Sequence, residues 1–266
     1  MKIACLLMQK NEPLILEAWI KYHAHIFGYE NLYIFDNGST DLVCRYLLDH
    51  FREMHGINVS YDFLRDVDFE RKGQIVLDKI LELDMKGSYD FLIPLDCDEF
   101  LALKNQSGFA FDRDGILPYF EAFIGDPRAL EVGGCLYNIP KRPNFYYGLD
   151  VKKTIFTRGT AGSLDLGYHD GRSRLTPDRA PIDVLYFHFH NKPFEILRAH
   201  ARSKLGRRVT DFEPITLSEY RGQGEHLTRY FKMEEVDYLN SFPVNGARYI
   251  PEFRLHLEKI GATIPY

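Results

Sequence analysis

The chain opens with an apolar run over residues 3–8 that no polar position interrupts. Such a run is the pattern of a strand covered on both faces, as in a parallel sheet. Lys10-Asn11-Glu12-Pro13 ends it, and Pro13 suits the first turn of a helix. Ile15, Trp19, Tyr22 and Ile26 then fall at helical spacing, with Gly28 placed as a C-cap, so the pattern predicts a helix over 14–27. Residues 32–35 predict a second buried strand. It stops at Asp36-Asn37-Gly38-Ser39-Thr40-Asp41, where Ser39, Thr40 or Asp41 can cap a helix running through His50. A third strand over 57–63, an amphipathic helix over 74–85 and a fourth apolar run over 89–95 follow. This strand–helix alternation predicts an α/β fold, a doubly wound, mostly parallel sheet flanked by helices.

After Leu103 the alternation fails. The pattern predicts a short helix over 116–124, strands over 130–137, 152–158 and 184–190, and a basic amphipathic helix over 194–205. Residues 159–180, rich in Gly, Arg and Asp, read as a mobile loop. No repeat or low-complexity linker divides the chain, so a single domain is expected.

Composition narrows the picture. The 266 residues are 45% hydrophobic, with 20 Phe and 17 Tyr, ample for a large core. A net charge of −5 leaves no bulk basic footprint for nucleic acid. Cys5, Cys44, Cys97 and Cys135 form no C-x-x-C pair and read as reduced thiols. The N-terminal run is too short for a secretory segment, and no run reaches the length of a membrane span, so a soluble, cytoplasmic protein is expected.

The fourth run drives into Asp96-Cys97-Asp98-Glu99. If the strand continues through them, Asp96 and Asp98 project to one face, with Cα atoms roughly 6–7 Å apart. Two carboxylates that close repel unless a cation or proton lies between them, and a hard divalent metal carrying phosphate oxygens suits the pair. The plainer alternative is a solvated acid cluster after a strand, which the apolar residues on both sides oppose. Pro94 removes a ladder donor and suggests that pairing is already ending there. Lys10-Asn11-Glu12, Asp36-Asn37-Gly38, Arg65-Asp66 and Asp96-Cys97-Asp98 would all fall at strand carboxyl ends, the rim where ligands collect in such sheets. Arg65, Arg71 and Lys72 there either neutralise phosphate or form a solvated face. His188 and His190 share one face of their strand; they are either a packed pair or ligands, and imidazole favours Mn²⁺ over Mg²⁺.

Asn11-Glu12, the Asp36–Asp41 turn, Gly73-Gln74 and Asp96-Cys97-Asp98-Glu99-Phe100, taken in order, resemble the GT-A glycosyltransferases, nearest to the family 2-like group related to family 92. The resemblance covers about the first 105 residues and resumes in Gly167-Tyr168-His169 and Phe187-His188-Phe189-His190-Asn191-Lys192. It implies a hexosyltransferase that uses a UDP-sugar and Mn²⁺ or Mg²⁺ to glycosylate a glycan or other hydroxyl acceptor, as in polysaccharide biosynthesis. Peripheral membrane association is left open. On that basis residues 1–105 would be the nucleotide-binding half, 106–205 the acceptor- and metal-completing half, and 206–266 a C-terminal extension. Asn11 and Glu12 would line the base pocket, Asp36 would contact uracil or ribose, and Gln74 would join the donor-binding set. Asp96 would face ribose and metal, Asp98 would bind the metal, His188 would complete its shell and Lys192 would face the diphosphate. His190 departs from the aromatic residue common in relatives, so either histidine could be the ligand. Inverting transfer needs a carboxylate base, for which Asp165 and Asp170 are candidates; the plainer reading makes them loop acids. Two other functions compete. A nucleotidyltransferase would want a Gly-rich basic loop after the first strand, which is missing, and a non-catalytic binding protein need not have kept both the D-x-D and the histidines.

Overall fold

In the computed structural model, β1 (Ile3–Gln9) is the strand its apolar run predicts, buried at all seven positions. After it come α1 (Leu16–Phe27), β2 (Leu32–Asp36), α2 (Leu42–His55), β3 (Asn58–Ser60), α3 (Asp66–Glu70), α4 (Lys72–Lys86) and β4 (Phe91–Pro94). Then follow β5 (Glu99–Asn105), β6 (Gly108–Ala110), α5 (Arg113–Glu121), β7 (Ala129–Val132), β8 (Cys135–Asn138) and β9 (Phe145–Leu149). Next come β10 (Thr154–Thr157), β11 (Ala161–Ser163), β12 (Arg172–Ser173), β13 (Arg179–Ile182) and β14 (Val184–His188). The chain ends with α6 (Phe194–Leu205), α7 (Pro214–Glu219), α8 (Glu235–Asn240), β15 (Arg248–Tyr249) and α9 (Glu252–Lys259). The structure describes residues 1–106, 108–206, 208–222, 224–243 and 245–266. Contacts divide the chain into two compact units. One comprises Met1–Leu136, Gly148–His188 and Pro251–Pro265; the other comprises Tyr137–Tyr147, Phe189–Ile250 and Tyr266.

The first unit is built on a seven-stranded sheet in the order β13-β7-β10-β4-β1-β2-β3. β1 runs parallel to β2 and β4, β2 to β3, and β13 to β7, while β10 alone runs antiparallel to both its neighbours. The fold is thus α/β with a mostly parallel sheet flanked by helices. Gln9 pairs with Asp36 at the carboxyl ends of β1 and β2, and Leu6 with Pro94 at the end of β4, so these strand ends share one rim. One face is filled by Val76, Ile80 and Leu83 of α4, packed with Leu6, Leu92 and Phe156.

β5 leaves this sheet and pairs antiparallel with β14 on one side and with β6 on the other. β6 reaches only as far as Leu103, so on that side no strand among the described residues pairs with Leu101, which is in register with Tyr186 of β14 on the other. Helix α1 supplies the missing groups. The Tyr22 hydroxyl donates to the Leu101 carbonyl at 2.6 Å, and the Leu101 N–H donates to Nε2 of His23 at 3.5 Å. A buried backbone group needs such a partner, and two adjacent residues of one helix turn provide both.

Two expectations need correction. The strand expected over 130–137 is two strands, because Gly133-Gly134 turns away from the ladder and Gly133 N–H donates to Val184 O at 2.9 Å. Residues 159–180 are not a mobile loop but contain β11, β12 and the start of β13, and Tyr168 within them is fully buried. The charges that suggested a loop make internal bonds: Arg174 Nε donates to Gly159 O at 2.7 Å, and Arg179 pairs with Glu131.

In the second unit, α6 has the bounds that the pattern predicts. It packs Phe194 and Ala201 against Tyr230 and Tyr238. Asn138 and Asn191 interlock through three bonds of 2.8–3.1 Å, each side chain engaging the other residue's backbone.

Candidate functional site

The D-x-D does not lie on a strand. β4 ends at Pro94, and Asp96, Cys97 and Asp98 form a turn closed by a Glu99 N–H to Asp96 O bond of 3.1 Å before β5 begins. The strand alternation that would place Asp96 and Asp98 on one face is therefore absent, and the two carboxylates find different partners. Pro94 was the signal for this.

Asp98 meets His188. β14 runs antiparallel to β5 with His188 opposite Glu99, which brings Nε2 of His188 to 3.3 Å from Asp98 Oδ1 and 4.0 Å from Glu99 Oε1. Burial alone would lower the His188 pKa. The Asp98 carboxylate, with help from Cys135 and Glu99, outweighs it and raises the imidazole to about 10.

Asp96 is held by two lysines. Lys72, the first residue of α4, reaches Oδ1 at 2.5 Å, and Lys153, just before β10, reaches Oδ2 at 2.8 Å. Lys153 also contacts Glu99 Oε1 at 2.9 Å and donates to Gly167 O at 2.8 Å, while Glu99 Oε2 accepts from the Asp96 N–H at 2.8 Å. Both ammoniums lie over the buried Tyr168 ring, 4.5 and 5.1 Å from its centroid. Burial would raise the Asp96 carboxyl, but Lys153 and Lys72 hold it well below the usual carboxylate range. Burial pushes Glu99 up. Sequence reasoning did not single out Lys153, and it took Lys72 for a phosphate-facing or solvated charge.

These contacts decide which side chains suit a divalent ion. Asp98 and His188 offer an oxygen and a nitrogen donor at close range, which fits Mn²⁺. Asp96 does not fit in the same way, because each of its oxygens already faces an ammonium. Two unit charges of like sign 4 Å apart cost about 4 kcal/mol at an effective permittivity near 20.

The other expected residues have these places. Asp36 is buried, accepting from Gln9 Nε2 at 2.6 Å and from Ser39 N–H at 2.9 Å. Asn11 has φ +54°, and its Oδ1 accepts from Thr40 and Asp41 N–H, stitching the end of β1 to the turn after β2. The Glu12 carbonyl accepts from Ile15 and Leu16 N–H at the entry to α1. Gln74 is exposed and bonds Asp78 one turn along α4 at 2.7 Å. Beside it, a Cβ at Gly73 would lie 2.4 Å from Asp165 O, so a close approach of chain segments requires glycine there. Asp165 accepts from Gly167 and Asp170 N–H, at 3.1 and 2.7 Å. Asp170 pairs with Arg179 and Arg172, which hold its carboxyl below the ordinary value. Asp165 therefore braces the 165–170 segment, Asp170 ties it to β12 and β13, and arginine pairing makes Asp170 a poorer base. His190 and Lys192 belong to the second unit. His190 is exposed with its ring 5.7 Å from that of Tyr137; Lys192 is buried with Nζ 3.3 Å from His200 Nδ1.

No protein-family model matches the chain, and no curated protein matches it. Among solved structures the chain is similar to S. aureus TarS at 12% identity and a TM-score of 0.42, over 92% of this chain and 44% of that one. It is also similar to the mannosyltransferase PcManGT from Pyrobaculum calidifontis in complex with GDP-Man and Mn²⁺ (13% identity, TM-score 0.40, 90% of this chain and 72% of that one). A third is glucosyl-3-phosphoglycerate synthase from Mycobacterium tuberculosis with Mn²⁺, UDP and glucosyl-3-phosphoglycerate (15% identity, TM-score 0.38, 77% and 79%). The chain spans less than half the length of that TarS chain. Likenesses this distant assign neither substrate nor residue role. Among the described residues, no helix is long and apolar enough to cross a membrane.

Proposed function

We propose that the chain is a metal-dependent glycosyltransferase that moves a sugar, of hexosyl type, from a UDP-sugar to a hydroxyl on a glycan acceptor. The observation that carries this reading is the meeting of Asp98 and His188 at 3.3 Å, from elements nearly ninety residues apart, beside the carboxyl end of β4. That is the rim where open α/β sheets bind ligands, and Asp36 lies at the end of β2 on the same rim. The ordered motifs that resemble GT-A glycosyltransferases supply the reaction class.

Asp98 and His188 would hold the ion, with His188 giving up its proton to do so. When bound, Mn²⁺ supplies charge stabilisation for the diphosphate leaving group. Asp96, fixed between two ammoniums, is a carboxylate acceptor suited to a ribose or sugar hydroxyl. Asp36 and Asn11 would shape the nucleoside side of the site. The acceptor's proton has no assigned base, since Asp165 accepts from Gly167 and Asp170 N–H and Asp170 pairs with Arg172 and Arg179.

The test is calorimetric titration of Mn²⁺ with UDP into folded wild type, Asp98→Ala, His188→Ala and His190→Ala, alongside Mn²⁺-dependent hydrolysis of a panel of nucleotide sugars. Loss of binding and turnover in the first two variants, with a milder effect at His190, is the expected result. Wild-type affinity in His188→Ala would sink the shared-ion reading.

A further inference from the structure

We propose that Lys153 is a positioning residue that closes Asp96 to the divalent ion, so that the ion falls to Asp98 and His188. The inference rests on the ion reading above and deepens it by dividing the acids of the turn into two jobs.

Lys153 is tightly held. Its Nζ donates to Asp96 Oδ2 and to Gly167 O, both at 2.8 Å, and forms an ion pair with Glu99 Oε1 at 2.9 Å. Its side chain is 1% exposed. The backbone around it is pinned on both sides. Lys153 O accepts from Val132 N–H at 2.9 Å, and Thr154 N–H donates to Tyr168 O at 2.9 Å. The ammonium therefore cannot turn aside without stripping Asp96 Oδ2, the buried Glu99 Oε1 and the Gly167 carbonyl of their shared cation.

Lys72 takes the other oxygen of Asp96, so both faces of that carboxylate are occupied before any ion arrives. Asp98 differs. Asp98 Oδ1 lies 3.3 Å from His188 Nε2, and an imidazole nitrogen can itself ligate a metal, whereas an ammonium has no lone pair to offer. One turn thus carries a fixed acceptor at Asp96 and an exchangeable ligand pair at Asp98 and His188. The resemblance to D-x-D enzymes gave both acids to the metal, and the pair of lysines separates them.

Two measurements test this on the full chain, with Mn²⁺ as the probe. In metal-free protein, urea unfolding of wild type, Lys153→Met, Asp96→Asn and the double variant should show coupling, the double losing much less than the two singles together. Additive losses would overturn the proposal whatever the metal does. In calorimetry, Lys153→Met should bind Mn²⁺ at least tenfold tighter than wild type, because Asp96 becomes available. Adding Asp96→Asn should cancel the gain, an effect a purely structural lysine would not produce. Should Lys153→Met not fold, Asp96→Asn decides alone: affinity within about threefold of wild type is expected, and a loss as large as that of Asp98→Ala overturns the proposal. A wild type that binds Mn²⁺ while Lys153→Met binds no tighter defeats this inference and leaves the functional reading intact. Silence in every protein, with UDP present, defeats both.

Discussion

His23 lies wholly buried on α1, and its two ring nitrogens have opposite jobs. Nδ1 is 3.0 Å from the Trp19 carbonyl and must carry the proton, while Nε2 accepts from Leu101 N–H. The neutral tautomer satisfies both, and a second proton would face a donor. Burial accordingly lowers its pKa to about 3 from the ordinary 6.5, against a smaller opposing effect of the Trp19 carbonyl. The folded value lies below the unfolded one, so the unfolded chain binds more protons between the two. The stability His23 contributes is complete above about pH 6.5 and declines as pH falls towards 3, approaching a slope of about 1.4 kcal/mol per pH unit. His23→Gln, neutral throughout, isolates this effect. Urea unfolding of both proteins from pH 7 to 4.5 should show the wild type losing stability faster than the variant. Equal slopes would mean that the imidazole takes up a proton without penalty. Lys153 teaches a related lesson at the same scale. It adjoins Lys152, which is half in solvent and pairs with Glu131, and nothing in the sequence marks which of the two faces inward.

At the scale of elements, α4 shows how a helix both braces the sheet and delivers a site residue. Its apolar face was legible, since Ile75, Val76, Ile80 and Leu83 recur at helical spacing and are all buried. Its start was not. The pattern put it at residue 74, yet the helix begins at Lys72, which reaches back to Asp96, and at Gly73, which lies against the 164–165 backbone. Intrinsic propensity and contact make opposite predictions for Gly73→Ala. Propensity gives a gain of about 1 kcal/mol. An added Cβ 2.4 Å from Asp165 O must push backbone aside, at a cost of roughly 1–3 kcal/mol. The contact should win, because the neighbour is main chain and not the end of a flexible side chain. Chemical denaturation should therefore show a less stable Gly73→Ala. A more stable variant would show that the two segments do not touch in solution.

For the whole molecule, what was legible is what is local. β1 to β4 and the helices between them each carry their own period, and their parallel order follows from the alternation. The insertion of β10 between β4 and β7, antiparallel to both, joins residues far apart in the chain and leaves no local trace. Lys153 was missed for that reason, since its path to Asp96 exists only once β10 is in place. Asp36 shows the converse: the turn was read correctly as a rim feature, but its carboxylate also holds Gln9 and Ser39 within the fold. A nucleotide test at Asp36 must separate those two roles, because any substitution there disturbs the ligand-free protein. Each protein should therefore be compared with its own ligand-free melt. UDP with Mn²⁺ at about a hundred times its dissociation constant stabilises a binding fold by roughly 2.7 kcal/mol. Wild type should show that upward shift in melting temperature, and Asp36→Asn should melt lower without ligand and gain little from it. Equal shifts with adenosine and guanosine diphosphates would remove the uridine assignment. A full shift in Asp36→Asn would confine Asp36 to bracing the ends of β1 and β2, and the nucleoside would have to be read from Asn11 and Glu12 instead.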